Sequence, residues 1–95
     1  MSKVIEAAVA QLTGKLGGGF DGVAKFVIPG EGAIMLDGAG VSVGDDDADV
    51  TLTASTEVFE SLLSGDLSAA SAFMTGKLTV EGSMALAMKL GTVLG

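Results

Sequence analysis

The sequence predicts an α+β fold in which helices cover one face of a single five-stranded sheet. The elements follow in the order helix, three strands, a fourth strand, helices, a fifth strand and a helix. Apolar residues recur with a helical period near both ends of the chain, and they alternate by two in the strands. The length of 95 residues suits one domain, so residues 1–95 are expected to form a single one.

The first half of the chain predicts one helix and a three-stranded meander. Apolar residues at three- and four-residue spacing form one helical stripe, which glycines at 14 and 17–19 end. Turns at 29–32 and 38–40 separate the strands that follow. The predicted elements are a helix over 4–16 and strands over 20–28, 33–37 and 41–43.

The second half predicts a strand, two short helices, a fifth strand and a final helix. An acidic loop at 44–49 comes first. Ser55 or Thr56 can cap the next helix, and Glu57 suits its first turn. The predicted elements are a strand over 50–54, a helix ending near 65, a helix over about 68–75, a strand over 77–81 and a helix from 82 or 83 to about 94.

The residue types that the chain lacks exclude most catalytic chemistry. It contains no His, Cys, Arg, Asn, Trp or Tyr. Because His and Cys supply most general bases, nucleophiles and zinc ligands, nucleophilic triads and zinc hydrolysis are excluded. A pair of carboxylates is the catalytic arrangement that remains open. We therefore expect no enzymatic activity and no specific metal.

The charge of the chain bears on its partners and location. Five basic and twelve acidic residues give a formal net charge of −7, which disfavours nucleic acid and anionic membrane surfaces. No signal-peptide pattern and no apolar stretch of membrane-spanning length is present. The expected location is the cytoplasm, without stable membrane insertion.

Two motifs match known binding patterns only in part. The glycines at 17–22 have dinucleotide-binding spacing, but they follow a helix and precede a strand, which is the reverse of the required context. Asp45, Asp47 and Asp49 alternate as in a calcium loop. The sixth and twelfth loop positions hold Val and Thr, where Gly and Glu are required. We interpret the two segments as a turn and a solvated loop.

The final helix is too apolar for a helix that buries only one face. Only Ser83, Lys89 and Thr92 are polar within it. It can close over an internal ligand, pack against a second subunit, or be a well-covered terminal helix. The mean hydropathy is +0.61, although only four residues are aromatic. This composition fits either a cavity lined by small and flexible apolar side chains or a tight core of small side chains. Flexible Met side chains favour a ligand slightly.

The second half of the sequence resembles the sterol carrier protein 2 family. The most specific part is Phe-Met-x-Gly-Lys-Leu at 73–78, followed by a strand, a glycine and a helix of Ala, Met and Leu. The first half fits through the hairpin that begins at Phe20. The similarity covers nearly the whole chain after a short first helix. The segments that carry it are Asp49–Ser55, Leu63–Leu67, Ala72–Leu78 and Val80–Leu90.

The resemblance implies an apolar tunnel between sheet and helices, closed by the C-terminal helix, that binds lipid without a cofactor. Strand alternation and helical spacing, joined to this tunnel, predict the residues that contact the ligand. On the sheet these are Phe26, Ile28, Ile34, Leu36, Leu52, Leu78 and Val80. On the helices they are Val58, Phe59, Leu62, Phe73, Met74, Met84, Met88 and Leu90. The inner face of the last helix should include Met88, and the opposite face Lys89 and Thr92.

Three hypotheses of function follow. The first is non-catalytic binding and transfer of a fatty acid, sterol-like or isoprenoid lipid. The second is an accessory protein or scaffold that presents a lipid substrate in isoprenoid or quinone synthesis. The third is an interaction module that forms a homodimer through its apolar C-terminal helix. The low Lys content and the lack of Arg argue against acyl-CoA as the ligand.

Overall fold

The structure is a computed structural model that describes residues 3–17 and 19–94. Gly18 of the predicted helix stop therefore lies outside the described residues, as do positions 1, 2 and 95 of the predicted domain. The helices are α1 (Lys3–Leu16), α2 (Thr56–Ser64), α3 (Ala69–Met74) and α4 (Met84–Leu94). The strands are β1 (Ala24–Ile28), β2 (Gly32–Asp37), β3 (Gly40–Val43), β4 (Val50–Ala54) and β5 (Leu78–Gly82).

The five strands form one mixed sheet in the order β3-β2-β1-β4-β5. Strands β1 and β4 pair in parallel at its centre, and the other neighbouring pairs are antiparallel. One row of directly paired residues crosses the whole sheet. It consists of Val43, Ile34, Phe26, Leu52 and Val80. Because paired residues point to the same face, this row belongs to the apolar face that the sequence predicts.

The core lies between this face and the helices. Phe26, on β1, packs against Phe59, on α2, with ring centroids 4.8 Å apart and ring planes tilted by 58°. Ile5 and Leu12 of α1 and Leu90 of α4 are at most 1% exposed. The predicted α+β fold, with helices on one face of a five-stranded sheet, is confirmed.

The first strand begins later than predicted. Residues 20–23 form a bend before β1, although Phe20 is buried and its N–H donates a 2.8 Å hydrogen bond to the Asp37 carbonyl. The reason is Gly22, whose φ of 130° interrupts the extended backbone. The alternation over 20–28 therefore predicts the burial of Phe20 correctly. It predicts the extended strand conformation correctly only from Ala24 onwards.

Serine side chains begin both short helices. Ser55 Oγ accepts a 3.3 Å hydrogen bond from the N–H of Val58, so Ser55 rather than Thr56 caps α2. Ser68 Oγ accepts a 3.1 Å bond from the N–H of Ser71 and caps α3. Each cap satisfies a backbone donor that the helix itself leaves unpaired.

The acidic loop lies over the outer face of the sheet, and its four aspartates are exposed, in agreement with the interpretation as a solvated loop. Lys25 and Met35 are paired residues on that face. Asp45 Oδ1 lies 2.8 Å from Lys25 Nζ, whose side chain is 17% exposed. Met35 is buried, and a Cβ added to Gly44 would lie 3.1 Å from its Cγ. The loop therefore covers an apolar side chain as well as carrying charge. Among the described residues, no acidic cluster has a geometry that could hold a metal ion.

Candidate functional site

An apolar groove of about 480 Å³ runs between α3 and α4, with β4 and β5 as its floor. We call it the α3–α4 groove. Its volume falls within the range of sites for small ligands, about 300–1,000 Å³. Its lining consists of Leu52, Ser68, Ala69, Ala70, Phe73, Met74, Leu78, Val80, Met84, Ala87, Met88, Gly91 and Thr92.

Large apolar side chains are concentrated at this groove with nothing covering them. Five large apolar residues in the described part of the chain are exposed, and all except Val43 line the groove. The exposed fractions are 44% for Phe73, 84% for Met74, 47% for Met84 and 72% for Met88. A contiguous exposed apolar patch of this kind is typical of an interaction surface or a ligand site.

The helical period of α4 places its methionines at the groove. Ala87 is buried and belongs to both the core and the groove lining. Leu90 and Leu94 point into the core, whereas Met84 and Met88, one turn apart, line the groove. Thr92 comes one further turn along the same side. The prediction that Thr92 lies opposite Met88 is therefore wrong, because positions i and i+4 share a helical face.

Lys89 does lie away from the groove, as predicted. Its Nζ is 2.9 Å from Asp21 Oδ2, in the bend before β1. The hydrogen bond from Lys89 and, secondarily, its positive charge lower the pKa of the Asp21 carboxyl. This ion pair joins the solvent side of α4 to the segment that precedes the sheet.

Small residues allow α3 and α4 to approach each other at one end of the groove. Gly91 faces Ala69, so that a Cβ added to the glycine would lie 3.2 Å from the Cβ of Ala69. Ser68 and Thr92 are the chain neighbours of these two residues and lie at the same end. Their hydroxyls are the polar side-chain groups of the lining.

The structure divides the predicted ligand-contacting residues into two groups. Seven line the α3–α4 groove, namely Leu52, Phe73, Met74, Leu78, Val80, Met84 and Met88. The others lie in or against the core outside the groove, namely Phe26, Ile28, Ile34, Leu36, Val58, Phe59, Leu62 and Leu90. Ligand contact by either group stays a prediction. The apolar space is a groove open to solvent at Met74 and Met88. The enclosed tunnel that the resemblance implies stays a prediction.

Sequence reasoning missed the small and polar members of the lining. These are Ser68, Ala69, Ala70, Ala87, Gly91 and Thr92. A signal for Thr92 was present in its four-residue spacing from Met88. For Ala69 and Gly91 no such signal existed, because their role depends on a close approach between two helices.

A second groove, of about 520 Å³, lies between α1 and α2 and has a different character. Glu57, Glu60 and Asp66 are part of its lining. Three carboxylates make this groove a poor site for an apolar molecule, because their hydration would be lost without compensation. The α3–α4 groove is therefore the better candidate site.

The lining of the α3–α4 groove contains no carboxylate or amine that could transfer a proton. Within residues 3–17 and 19–94, no helix is long and apolar enough to cross a membrane.

Comparison with known proteins finds both a family and a fold. Residues 5–95 match the SCP-2 sterol transfer family. Hydroxysteroid dehydrogenase-like protein 2 from Bos taurus is 42% identical over 76 residues, which are 72% of this chain and 18% of that protein. The crystal structure of sterol carrier protein 2 like 2 from Aedes aegypti has a TM-score of 0.79 at 23% identity and covers 95% of each chain.

A second solved structure carries a lipid. The solution structure of sterol carrier protein 2 from Aedes aegypti in complex with the C16 fatty acid palmitate has a TM-score of 0.77 at 22% identity. It covers 100% of this chain and 97% of its own. At these identities the two insect structures establish the fold. The chain spans 14–20% of the length of the curated relatives it matches.

Proposed function

This chain belongs to the SCP-2 sterol transfer family, and from that premise we propose that it binds an apolar lipid in the α3–α4 groove and transfers it unchanged. The observation that carries the proposal is the set of four exposed apolar side chains, Phe73, Met74, Met84 and Met88, around a groove with no titratable group. Water leaves such a surface readily, and nothing in the lining acts as an acid, a base or a nucleophile.

The size of the hydrophobic effect agrees with useful binding. Each CH₂ group removed from water contributes about 0.8 kcal/mol, so about ten such groups contribute roughly 8 kcal/mol. A binding free energy of that size corresponds to a dissociation constant of about 1 µM, before the cost of association is subtracted. Micromolar affinity suits a carrier, because the lipid must also leave. The same fold holds palmitate in the Aedes aegypti protein.

The direct test is lipid uptake by a variant with a charge inside the groove. Met88→Glu should weaken binding of a fluorescent fatty acid by at least about tenfold, because the bound chain would cover the new carboxylate and offer it no partner in place of water. The matched control is Ala85→Glu, which places the same charge on an exposed position of the same helix outside the lining. Equal loss in both variants, or no loss in either, would contradict the groove as the lipid site.

A homodimer is a second candidate, and the same exposed side chains favour it. A second copy of the chain could cover Met74 and Met88 in place of a lipid. Native mass spectrometry of gently purified protein separates the two. A lipid mass in stoichiometric amount supports the carrier, whereas a lipid-free dimer supports the interaction module.

The accessory role in isoprenoid or quinone synthesis uses the same groove and differs in what happens next. We infer that an accessory protein would hand its lipid to an enzyme, whereas a carrier would exchange it with membranes. A transfer assay distinguishes them, because a carrier would exchange its bound lipid with vesicles in the absence of an enzyme and an accessory protein would retain it. A cytoplasmic location and the lack of catalytic turnover likewise stay predictions.

A further inference from the structure

The α3–α4 groove has one polar end, and the donor and acceptor groups there differ. Ser68 Oγ accepts a hydrogen bond from the N–H of Ser71 at 3.1 Å, so its own hydroxyl hydrogen is available for a ligand. Thr92 Oγ1 donates to the carbonyl of Met88 at 3.2 Å, so its remaining capacity is to accept. A ligand at this end meets one donor and one acceptor.

A ligand hydroxyl matches this pair, because it can accept from Ser68 and donate to Thr92. An ionised carboxylate has only acceptor oxygens. It could accept from Ser68, but it would face the lone pairs of Thr92 unless Thr92 gave up its bond to Met88. The groove therefore distinguishes the two head groups by hydrogen-bonding capacity.

The charges of the protein also disfavour a carboxylate head group in the groove. Every lining residue is uncharged, and the chain as a whole carries −7. Lys89 is paired with Asp21 on the other side of α4, and Lys77, which precedes β5, is outside the lining. A carboxylate that enters the groove loses hydration and gains no cation in return.

We propose that Ser68 and Thr92 receive the head of the lipid and select an uncharged, hydroxyl-bearing chain over a fatty-acid anion. This inference rests on the proposed lipid-binding function and specifies its ligand class. A long-chain alcohol is the simplest member of that class. Its apolar chain would run from this end along Met88 and Met84.

The test compares ligands that share one chain and differ in the head group. Lipid-free protein is titrated with 1-dodecanol, dodecanoate and methyl dodecanoate at about pH 8, where the carboxylate is ionised. Dodecanol should bind about tenfold or more tightly than dodecanoate, as expected for two hydrogen bonds gained and a desolvated charge avoided. Methyl dodecanoate, which is neutral but cannot donate, should fall between them.

Variants assign the preference to the polar end. Thr92→Val keeps the side-chain shape and should weaken dodecanol binding about threefold to tenfold, with little effect on methyl dodecanoate. Thr79→Val makes the same change on β5 outside the groove and should leave all affinities unchanged. Thr92→Lys should reverse the order and favour dodecanoate.

Each of the following results would overturn the inference. Dodecanoate binding within about twofold of dodecanol would show that the head group is not selected. An unchanged preference in Thr92→Val, or dodecanoate binding that Lys77→Gln abolishes, would place the head group elsewhere. If folded protein binds dodecanoate and methyl dodecanoate but not dodecanol, the inference fails alone. If it binds none of the three, the proposed function fails with it.

Discussion

Gly91 of α4 faces Ala69 of α3 so closely that a Cβ on the glycine would lie 3.2 Å from the Cβ of the alanine. Both residues line the groove. Because the distance is tighter than ordinary van der Waals contact, the separation of the two helices depends on the absence of a side chain at position 91. A single methyl group there tests how well the two helices can adjust.

Gly91→Ala should stabilise the protein less than Gly14→Ala does. Replacing a helical glycine by alanine contributes about 1 kcal/mol when the new methyl meets nothing. At Gly14, in α1, nothing lies within 4 Å of the added Cβ, whereas at Gly91 the methyl requires α3 or α4 to shift. Urea unfolding of the two variants measures the difference. An equal gain in unfolding free energy for both variants would mean that α3 and α4 move apart at no cost to accommodate the methyl group.

Gly82→Ala should destabilise the protein more than Gly30→Ala does. Both glycines have a left-handed backbone, with φ of 98° and 84° respectively. The conformational penalty for a side chain there is about 1–2 kcal/mol in each case. A Cβ at Gly82 would also collide with the carbonyl oxygen of Asp49, whereas the space around Gly30 is open. That oxygen accepts the hydrogen bond of the Ser83 N–H at 2.9 Å, just before α4.

Thermal and urea unfolding of the two variants measure this difference. A loss for Gly82→Ala above about 2 kcal/mol, with a loss near 1 kcal/mol for Gly30→Ala, fits steric collision added to backbone strain. Similar losses would mean that the β5–α4 turn adjusts around the new methyl group. In that case the position of α4 is less firmly held than the geometry indicates.

The faces of the sheet could be predicted from sequence because alternation is a local property. The inner positions of β1 and β4 are buried as expected, with Phe26 and Leu52 at most 1% exposed. The parallel pairing of these two strands could not be predicted in the same way. The acidic loop leads from β3, at one edge of the sheet, across the outer face to β4, which pairs with β1. Asp45 of this loop contacts Lys25 on the way. Alternation carries no information about that crossing.

The groove could be predicted only in part, for a related reason. Met84 and Met88 follow from helical spacing and composition, and both line the groove. Phe59 and Leu90 have the same apolar character and lie in the core. Burial depends on how far α4 stands from the sheet, and the sequence pattern does not contain that distance. The small residues Ala69 and Gly91, which allow α3 and α4 to approach each other, also have no distinctive spacing.

The ion pair between Lys89 and Asp21 should be visible as a titration. The hydrogen bond from Lys89, and then its charge, lower the pKa of Asp21 below its ordinary value of 3.8. A group with a lowered folded-state pKa contributes stability above its unfolded pKa, and this stability is lost as pH falls through the folded pKa. Any contribution from this pair is therefore present at neutral pH and lost in acid. The pair is exposed, so the effect on unfolding should be small.

Carboxyl chemical shifts in an NMR pH titration report this directly. Lys89→Gln should raise the pKa of Asp21 towards its ordinary value. Lys25→Gln, which removes a lysine paired with Asp45, should leave the Asp21 titration unchanged. An Asp21 pKa that does not respond to Lys89→Gln would mean that the pair does not persist in solution.

Met88→Ala and Leu90→Ala should have opposite consequences, although the residues are two positions apart on α4. Met88 is 72% exposed and lines the groove, whereas Leu90 is fully buried. Truncating Leu90 leaves a cavity and should cost about 2–5 kcal/mol of unfolding free energy. Truncating Met88 removes little packing and should change stability by no more than about 0.5 kcal/mol, while it lowers lipid affinity. Urea unfolding combined with displacement of a fluorescent lipid measures both quantities. A large stability loss for Met88→Ala with unaltered lipid binding would show that this face of α4 is part of the core. That result would favour the homodimer over the lipid carrier.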